Sequence, residues 1–148
     1  MSFENQIALV TGASRGIGKA IAAALGEQGA TVIGTATSEN GAQGITDTFS
    51  TAGIKGGGKV LNVTDPESIA SLLDDVQKEF GVPTILINNA GITRDNLLMR
   101  MKDDEWQDVI ETNLTSAFRM SKACLRGMMK ARQGRIVTIT SVIGATGN

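Results

Sequence analysis

Short apolar runs alternate along this chain with longer stretches of helical spacing. Ile7-Ala8-Leu9-Val10-Thr11 is the first run, and it ends at Gly12. From Ile17 to Gln28 the apolar positions Ile17, Ala20, Ile21, Ala24 and Leu25 fall on one helical face, and Gly29 is a suitable stop. Thr31–Thr35 reads as a second strand. Ser38 to Thr51 predicts a weaker helix, diluted by Gly41 and Gly44. Gly56-Gly57-Gly58 reads as a flexible turn before a third strand, Lys59–Val63. Thr64 or Asp65 can cap the next helix, with Pro66 at its first position and Ile69, Leu72, Leu73, Val76 and Phe80 as its stripe. Thr84–Asn88 is a fourth strand, Thr93 to about Lys102 a polar loop, Asp103–Ala131 one long helix, and Arg135–Ser141 a fifth strand.

Strands separated by helices argue for a parallel α/β sheet, because parallel neighbours need crossover connections. The strands are continuous apolar runs, as expected where helices cover both faces. The handedness of such crossovers favours a doubly wound sheet. No internal repeat, low-complexity tract or linker divides the chain.

Composition narrows the chemistry. The chain has 148 residues, and a chain of about 150 can bury roughly 70% of its unfolded surface as one domain. Its 14 basic and 15 acidic residues give no global pull toward nucleic acid or membrane. It has no His, which excludes a His-based triad and the usual catalytic zinc sites. One Cys excludes a disulfide framework. Glu4 precedes a short apolar run, unlike the basic start of a secretory signal, and no stretch approaches a membrane span, so a cytoplasmic location is expected.

Thr11-Gly12-Ala13-Ser14-Arg15-Gly16-Ile17-Gly18 joins the first strand to the first helix. Gly12 suits a sharp turn, Gly16 a close approach of the backbone to a pyrophosphate, and Gly18 tight packing of helix on sheet. The helix N-terminus supplies free N–H groups and a positive dipole end. This is the logic of a Rossmann-type dinucleotide site, with spacing G-x-x-x-G-x-G in place of G-x-G-x-x-G. A turn serving packing alone is the alternative. A site for NAD normally has an acid about 20 residues on, for the ribose 2′-hydroxyl. Here the second strand ends Thr35-Ala36-Thr37, and Arg15 projects from the glycine loop. A guanidinium with hydroxyls suits a 2′-phosphate, which favours NADP, tempered by Glu39 nearby.

At this point the sequence resembles the short-chain dehydrogenase/reductase family. Thr11–Gly18, Asn88-Asn89-Ala90-Gly91 after the fourth strand, and Ser141 at the end of the fifth match in the right order. Within the family, Gly91–Met101 and Gly34–Glu39 are most similar to the bacterial reductases of 3-oxoacyl groups carried on acyl carrier protein, which use NADPH in fatty acid synthesis. The resemblance implies a Rossmann-type sheet of order 3-2-1-4-5. It implies cofactor contacts from Gly12, Ser14, Arg15, Ile17, Gly18, Thr37, Asn62, Val63, Asn89, Ala90 and Gly91. It implies catalytic roles for Asn113 and Ser141, and tetramers with the long helix at an interface. Many members have an acid at the position of Asn62. Other members reduce a CoA thioester or a small ketone, and a non-catalytic nucleotide-binding form is a further possibility.

The residues bear on those implied roles. Asn113 falls on the stripe of Trp106, Val109, Ile110, Ala117 and Cys124, where a buried amide needs partners. It is either a structural Asn satisfying helix backbone or, as the family implies, the holder of a kink and a relay water. Ser141 ends a strand at the carboxyl edge of the sheet, where its hydroxyl can meet a substrate carbonyl, or it is only a turn residue. The pleat points Thr140 the other way.

The family's proton donor is a Tyr in a Tyr-x-x-x-Lys motif after the catalytic Ser. This chain has no Tyr and reaches Asn148 seven residues after Ser141. The resemblance therefore implies that residues 1–148 are the dinucleotide-binding portion of a single-domain reductase, with the motif and the last strands and helices beyond them, and that this portion alone is inactive. Finally, Arg119, Lys122, Arg126, Lys130, Arg132 and Arg135 carry no intervening acid. They read either as a solvated helix end or as a docking patch for an acidic carrier protein, with Lys130 and Arg132 at its centre.

Overall fold

The computed structural model of the protein describes residues 2–147. Its elements are β1 (Ile7–Val10), α1 (Gly16–Glu27), β2 (Thr31–Ala36), α2 (Glu39–Ala52), β3 (Gly56–Val60), α3 (Pro66–Glu79) and β4 (Ile85–Asn88). There follow a 3-10 turn (Leu98–Arg100), α4 (Asp103–Val109), a π segment (Ile110–Thr115), α5 (Ser116–Ala131), β5 (Arg135–Thr138) and α6 (Ile143–Thr146). All strand pairs are parallel, in the order β3-β2-β1-β4-β5. The expected doubly wound order is therefore the observed one.

The pleat sorts the apolar runs onto two faces. Ala8, Val10, Val32, Ile85 and Ile87 pack with Ala22 of α1 and Ile45 and Phe49 of α2. Leu9, Ile33 and Leu86 pack with Ile69, Leu72, Leu73 and Val76 of α3 and with Met120, Cys124 and Met128 of α5. A strand apolar at every position is thus still read with period two; both faces happen to be covered.

Three expectations need correction. The glycines Gly56–Gly58 are strand, not turn: β3 starts at Gly56, and its register runs Val32↔Gly56 to Ala36↔Val60. Close packing requires them. A Cβ on Gly58 would lie 1.9 Å from the Ala42 carbonyl oxygen of α2, and one on Gly56 1.9 Å from that of Val32. The Gly58 N–H donates to Thr46 Oγ1 at 2.9 Å, which seals α2 to the strand. β3 consequently ends at Val60, and Asn62 and Val63 sit in the turn beyond it.

Second, the long helix is interrupted. Residues 110–115 form a π segment, with the Ser116 N–H donating to the Glu111 carbonyl. The sequence spacing fits a straight helix because one inserted residue shifts the stripe without erasing it. Third, β5 stops at Thr138, so Ser141 lies three residues past the strand, ahead of α6. The capping of α3 is as expected: the Asp65 carboxylate accepts the Glu67 N–H at 2.9 Å, with Pro66 in the first turn. Among the described residues, no helix is long and apolar enough to cross a membrane.

Candidate active site

A cleft of about 780 Å³ opens at the carboxyl ends of β1, β4 and β5. The glycine turn forms one wall. Gly12 has φ of +65°, its N–H donates to Thr35 Oγ1 at 3.3 Å, and the Ala13 N–H donates to the Thr35 carbonyl at 2.8 Å. These bonds tie the turn to β2. A Cβ on Gly18 would stand 2.2 Å from the Gly12 carbonyl oxygen, so α1 meets the turn by backbone contact. Gly16 differs: its φ is +57°, and a Cβ there would meet nothing within 4 Å. Packing therefore explains Gly18, while Gly16 leaves backbone open beside the N-terminus of α1. Arg15 precedes that helix in an extended conformation, its side chain caps nothing, and the first turn holds no acid.

Arg15, Ile17, Val63, Asn89, Ala90, Gly91, Asn113 and Ser141 all line the cleft, so most of the sequence-selected residues come together. Gly12 and Gly18 do not line it but pack against Asn89, which does. Ser14, Thr37 and Asn62 do not line it. Ser14 lies beside the start of α2, its Cβ 3.9 Å from where a Cβ on Gly41 would be, and Thr37 is exposed next to the N-cap Ser38. Asn62 is engaged in its own turn: its Oδ1 accepts the Thr64 N–H at 3.1 Å and the Thr64 hydroxyl at 2.7 Å. Among the described residues, the only charged ones lining the cleft are Arg15 and Arg94. A concave surface with cations and no carboxylate suits a ligand carrying phosphates.

Thr11 organises the floor, a role that its place at the head of the glycine-rich segment does not itself disclose. Its Oγ1 accepts the N–H groups of Asn89 at 3.0 Å and Ala90 at 2.9 Å and donates to the Ile87 carbonyl at 3.4 Å. Asn89 Nδ2 returns to the carbonyls of Thr11 at 3.1 Å and Gly12 at 2.9 Å. The glycine turn and the segment after β4 are thereby one unit. A hydroxyl at the last position of a buried strand was the available signal. Asn88, behind them, donates to Ser121 Oγ and Thr138 Oγ1, both at 3.3 Å.

Asn113 is exposed, not buried on the stripe, and Trp106 is 57% exposed. The π segment turns this side of the helix toward the cleft. Asn113 Oδ1 accepts the Ile92 N–H at 2.8 Å, and its Nδ2 donates to the Ile92 carbonyl at 2.9 Å. The amide replaces a strand neighbour for Ile92 and fixes the segment after Gly91. Ser141 Oγ accepts the Ile143 N–H at 3.3 Å, which leaves its own hydrogen free to donate. Thr140, expected to point away, lines the same cleft, because β5 has ended at Thr138 and no pleat alternates the side chains there.

The other candidate chemistry resolves simply. Burial pushes the Cys124 thiol up to about 12, so it stays a neutral core group. No cluster of metal-ligating side chains occurs among the described residues. In the basic helix end, Arg119 pairs with Glu111 and Lys122 lies over the Phe118 ring. Arg132 ends α5 with φ of +53°, a position glycine usually takes. Met128 is buried, whereas Met129 and Leu125 are exposed.

Comparison with known proteins accords with this geometry. Residues 6–148 match the family model described as short chain dehydrogenase. The chain is 66% identical over 148 residues to the 3-oxoacyl-[acyl-carrier-protein] reductase of Escherichia coli, covering 100% of this chain and 59% of that protein. It is 67% identical to the protein of the same name from Salmonella typhimurium, again over 59% of its length. The corresponding protein of Pseudomonas aeruginosa is 61% identical, with 60% of its length covered. The chain thus spans about three fifths of these curated relatives.

Proposed function

The chain belongs to the short-chain dehydrogenase family, and we propose that it is the dinucleotide-binding portion of an NADPH-dependent reductase of 3-oxoacyl groups on acyl carrier protein. The observation that carries the cofactor assignment is the open backbone at Gly16 beside Arg15, which has no ion-pair partner among the described residues, in a cleft without carboxylates. The identity with reductases of that substrate class carries the choice of reaction.

The residues fit the cofactor. Gly12, Ser14, Gly16, Ile17 and Gly18, with the N-terminus of α1, would cradle the pyrophosphate. Arg15 and Thr37 would hold the 2′-phosphate, Asn62 and Val63 would flank the adenine, and Asn89, Ala90 and Gly91 would lie along the nicotinamide ribose. When bound, NADPH supplies the hydride.

The chain's own groups orient the acceptor. Ser141, with its acceptor face held by Ile143, has a hydrogen to give to a substrate carbonyl oxygen. Asn113 holds Ile92, and through it the segment Asn89–Gly91, in position. Hydride addition produces an alkoxide that must gain a proton. The 148 residues contain no Tyr and no His, and among the described residues no acid lines the cleft. These residues therefore bind and orient but do not protonate.

Carrier docking at Lys130 and Arg132, a tetrameric assembly and a cytoplasmic location complete the proposal. Both docking residues are exposed at the end of α5. The test is turnover. The full-length protein is expected to oxidise NADPH with an acetoacetyl thioester of acyl carrier protein, and the 148-residue polypeptide to bind NADPH without oxidising it. Equal turnover of a small ketone and the carrier thioester by the full-length protein would contradict the substrate assignment. Charge reversal at Lys130 and Arg132 is expected to raise KM for the carrier substrate at low salt and to leave KM for NADPH unchanged.

A further inference from the structure

Arg119 belongs to the basic run on α5, yet it takes no part in that surface. Its Nη1 donates to the Glu111 carboxylate and also to the Thr64 carbonyl at 3.2 Å. Both ionic side chains are only about 30% exposed. Eight residues separate the two, about 12 Å along a regular helix. The pair therefore spans the junction between the π segment and α5.

Each contact leads to residues that line the cleft. Thr64 belongs to the turn Asn62–Asp65, whose members are tightly bound to one another. Asn62 Oδ1 holds Thr64, the Asp65 N–H donates to the Asn62 carbonyl at 3.1 Å, and the Asn62 N–H donates to Ser68 Oγ at 3.0 Å. Val63 of the same turn lines the cleft. Glu111 lies two positions before Asn113 in the π segment, and Asn113 holds Ile92, which also lines the cleft. A π segment is a rare departure from α-helical bonding, so a contact that bridges it to regular helix bears on its geometry. Arg119 supplies one, from a rigid α5 whose Met120 and Cys124 are buried.

We infer that Arg119, with Glu111, is a positioning residue that couples the adenine-side turn Asn62–Asp65 to the π segment and hence to the Asn113–Ile92 clamp. Occupancy at the turn then stiffens the clamp at the nicotinamide end before any group reaches it. This rests on the dinucleotide reading above.

The test is amide hydrogen exchange on the full-length protein and its Arg119→Met and Glu111→Gln variants, with and without adenosine 2′,5′-bisphosphate, which carries the adenine half alone. Without nucleotide, both variants are expected to exchange the Ile92 amide about fivefold faster, as for loss of one partly exposed, charge-assisted contact. With nucleotide, the native protein should slow exchange both in Asn62–Asp65 and at Ile92. The variants should keep the first effect and lose the second. A merely structural role would lower stability and leave the nucleotide-induced slowing at Ile92 intact. Unchanged Ile92 exchange in the nucleotide-free variants would overturn the coupling, whatever the ligand does. Equal nucleotide-induced slowing at Ile92 in native and variant protein would overturn it too. Failure of the bisphosphate to bind the folded native protein would overturn the cofactor reading, and the inference with it. Glu111→Gln keeps the shape of the side chain and serves if Arg119→Met does not fold.

Discussion

β1 and β5 have similar apolar centres, Ala8-Leu9-Val10 and Ile136-Val137, and opposite surroundings. Leu9 is fully buried between β2 and β4 with helices on both faces, whereas Ile136 is 40% exposed at the edge of the described sheet. The exposed side continues onto the helices in Leu114, Phe118, Leu125 and Met129. The difference teaches that an apolar strand pattern states what a strand needs on its faces, and the neighbours decide whether it is met. The glycine turn, Thr11 and Asn89 all lie on the covered side, so the part of the cleft proposed to hold phosphate rests on finished packing. Thr138–Ser141 and α6 lie on the exposed side.

The largest expected effect sets the two strands against each other. Leu9→Ala should destabilise by about 3 to 4 kcal/mol, through lost burial and a cavity. Ile136→Ala in the same 148-residue chain should change stability by less than about 1 kcal/mol. Denaturant unfolding measures both, and equal losses would break the contrast. The same chain should associate on gel filtration, because apolar helix surface and an unpaired strand edge favour it. A stable monomer would count against that view of the β5 side.

Thr11→Val comes next. It keeps the shape of the strand end and strands the N–H groups of Asn89 and Ala90, which should cost about 2 kcal/mol. Thr138→Val, on the exposed side, removes a 3.3 Å contact that Asn88 also makes with Ser121, and should cost less. A reversed order would mean that the cleft is held from β5.

The smallest effect near neutral pH concerns Cys124. Burial raises its folded pKa from the ordinary thiol value to about 12. A raised pKa means that its contribution to stability is complete below pH 9 and is lost as pH rises toward 12. Thiol-reactive probes at pH 8 should label it only when α5 opens. Rapid labelling of the native protein would show that α5 is loosely packed.

These contrasts also show which features sequence could reveal. The helix α3 was legible to its first residues, because Asp65, Pro66 and the stripe each act locally. The parallel, doubly wound character of the sheet was legible because crossovers and apolar runs leave few alternatives, whereas its order came from the family resemblance. β3 was misread because three successive glycines look like a turn when their neighbours are unknown, and the tight fit against Ala42 and Val32 is tertiary. The interruption at Ile110–Thr115 was invisible to spacing, and Asn113 therefore seemed buried. Its partner Ile92 is 21 residues away, and no local pattern connects the two. Thr11 was missed for the same reason, since its two N–H partners lie 78 and 79 positions on.

The central claim is that the covered side of this molecule is a site for a 2′-phosphorylated dinucleotide. Calorimetric titration of the native chain and of Arg15→Ala with NADP and NAD tests it most directly. Native protein is expected to bind NADP at least about tenfold tighter than NAD, the scale of one charge-assisted phosphate contact. Arg15→Ala is expected to remove most of that preference and to leave NAD affinity nearly unchanged. Equal affinity of the native protein for the two nucleotides, or an undiminished preference in Arg15→Ala, would contradict it.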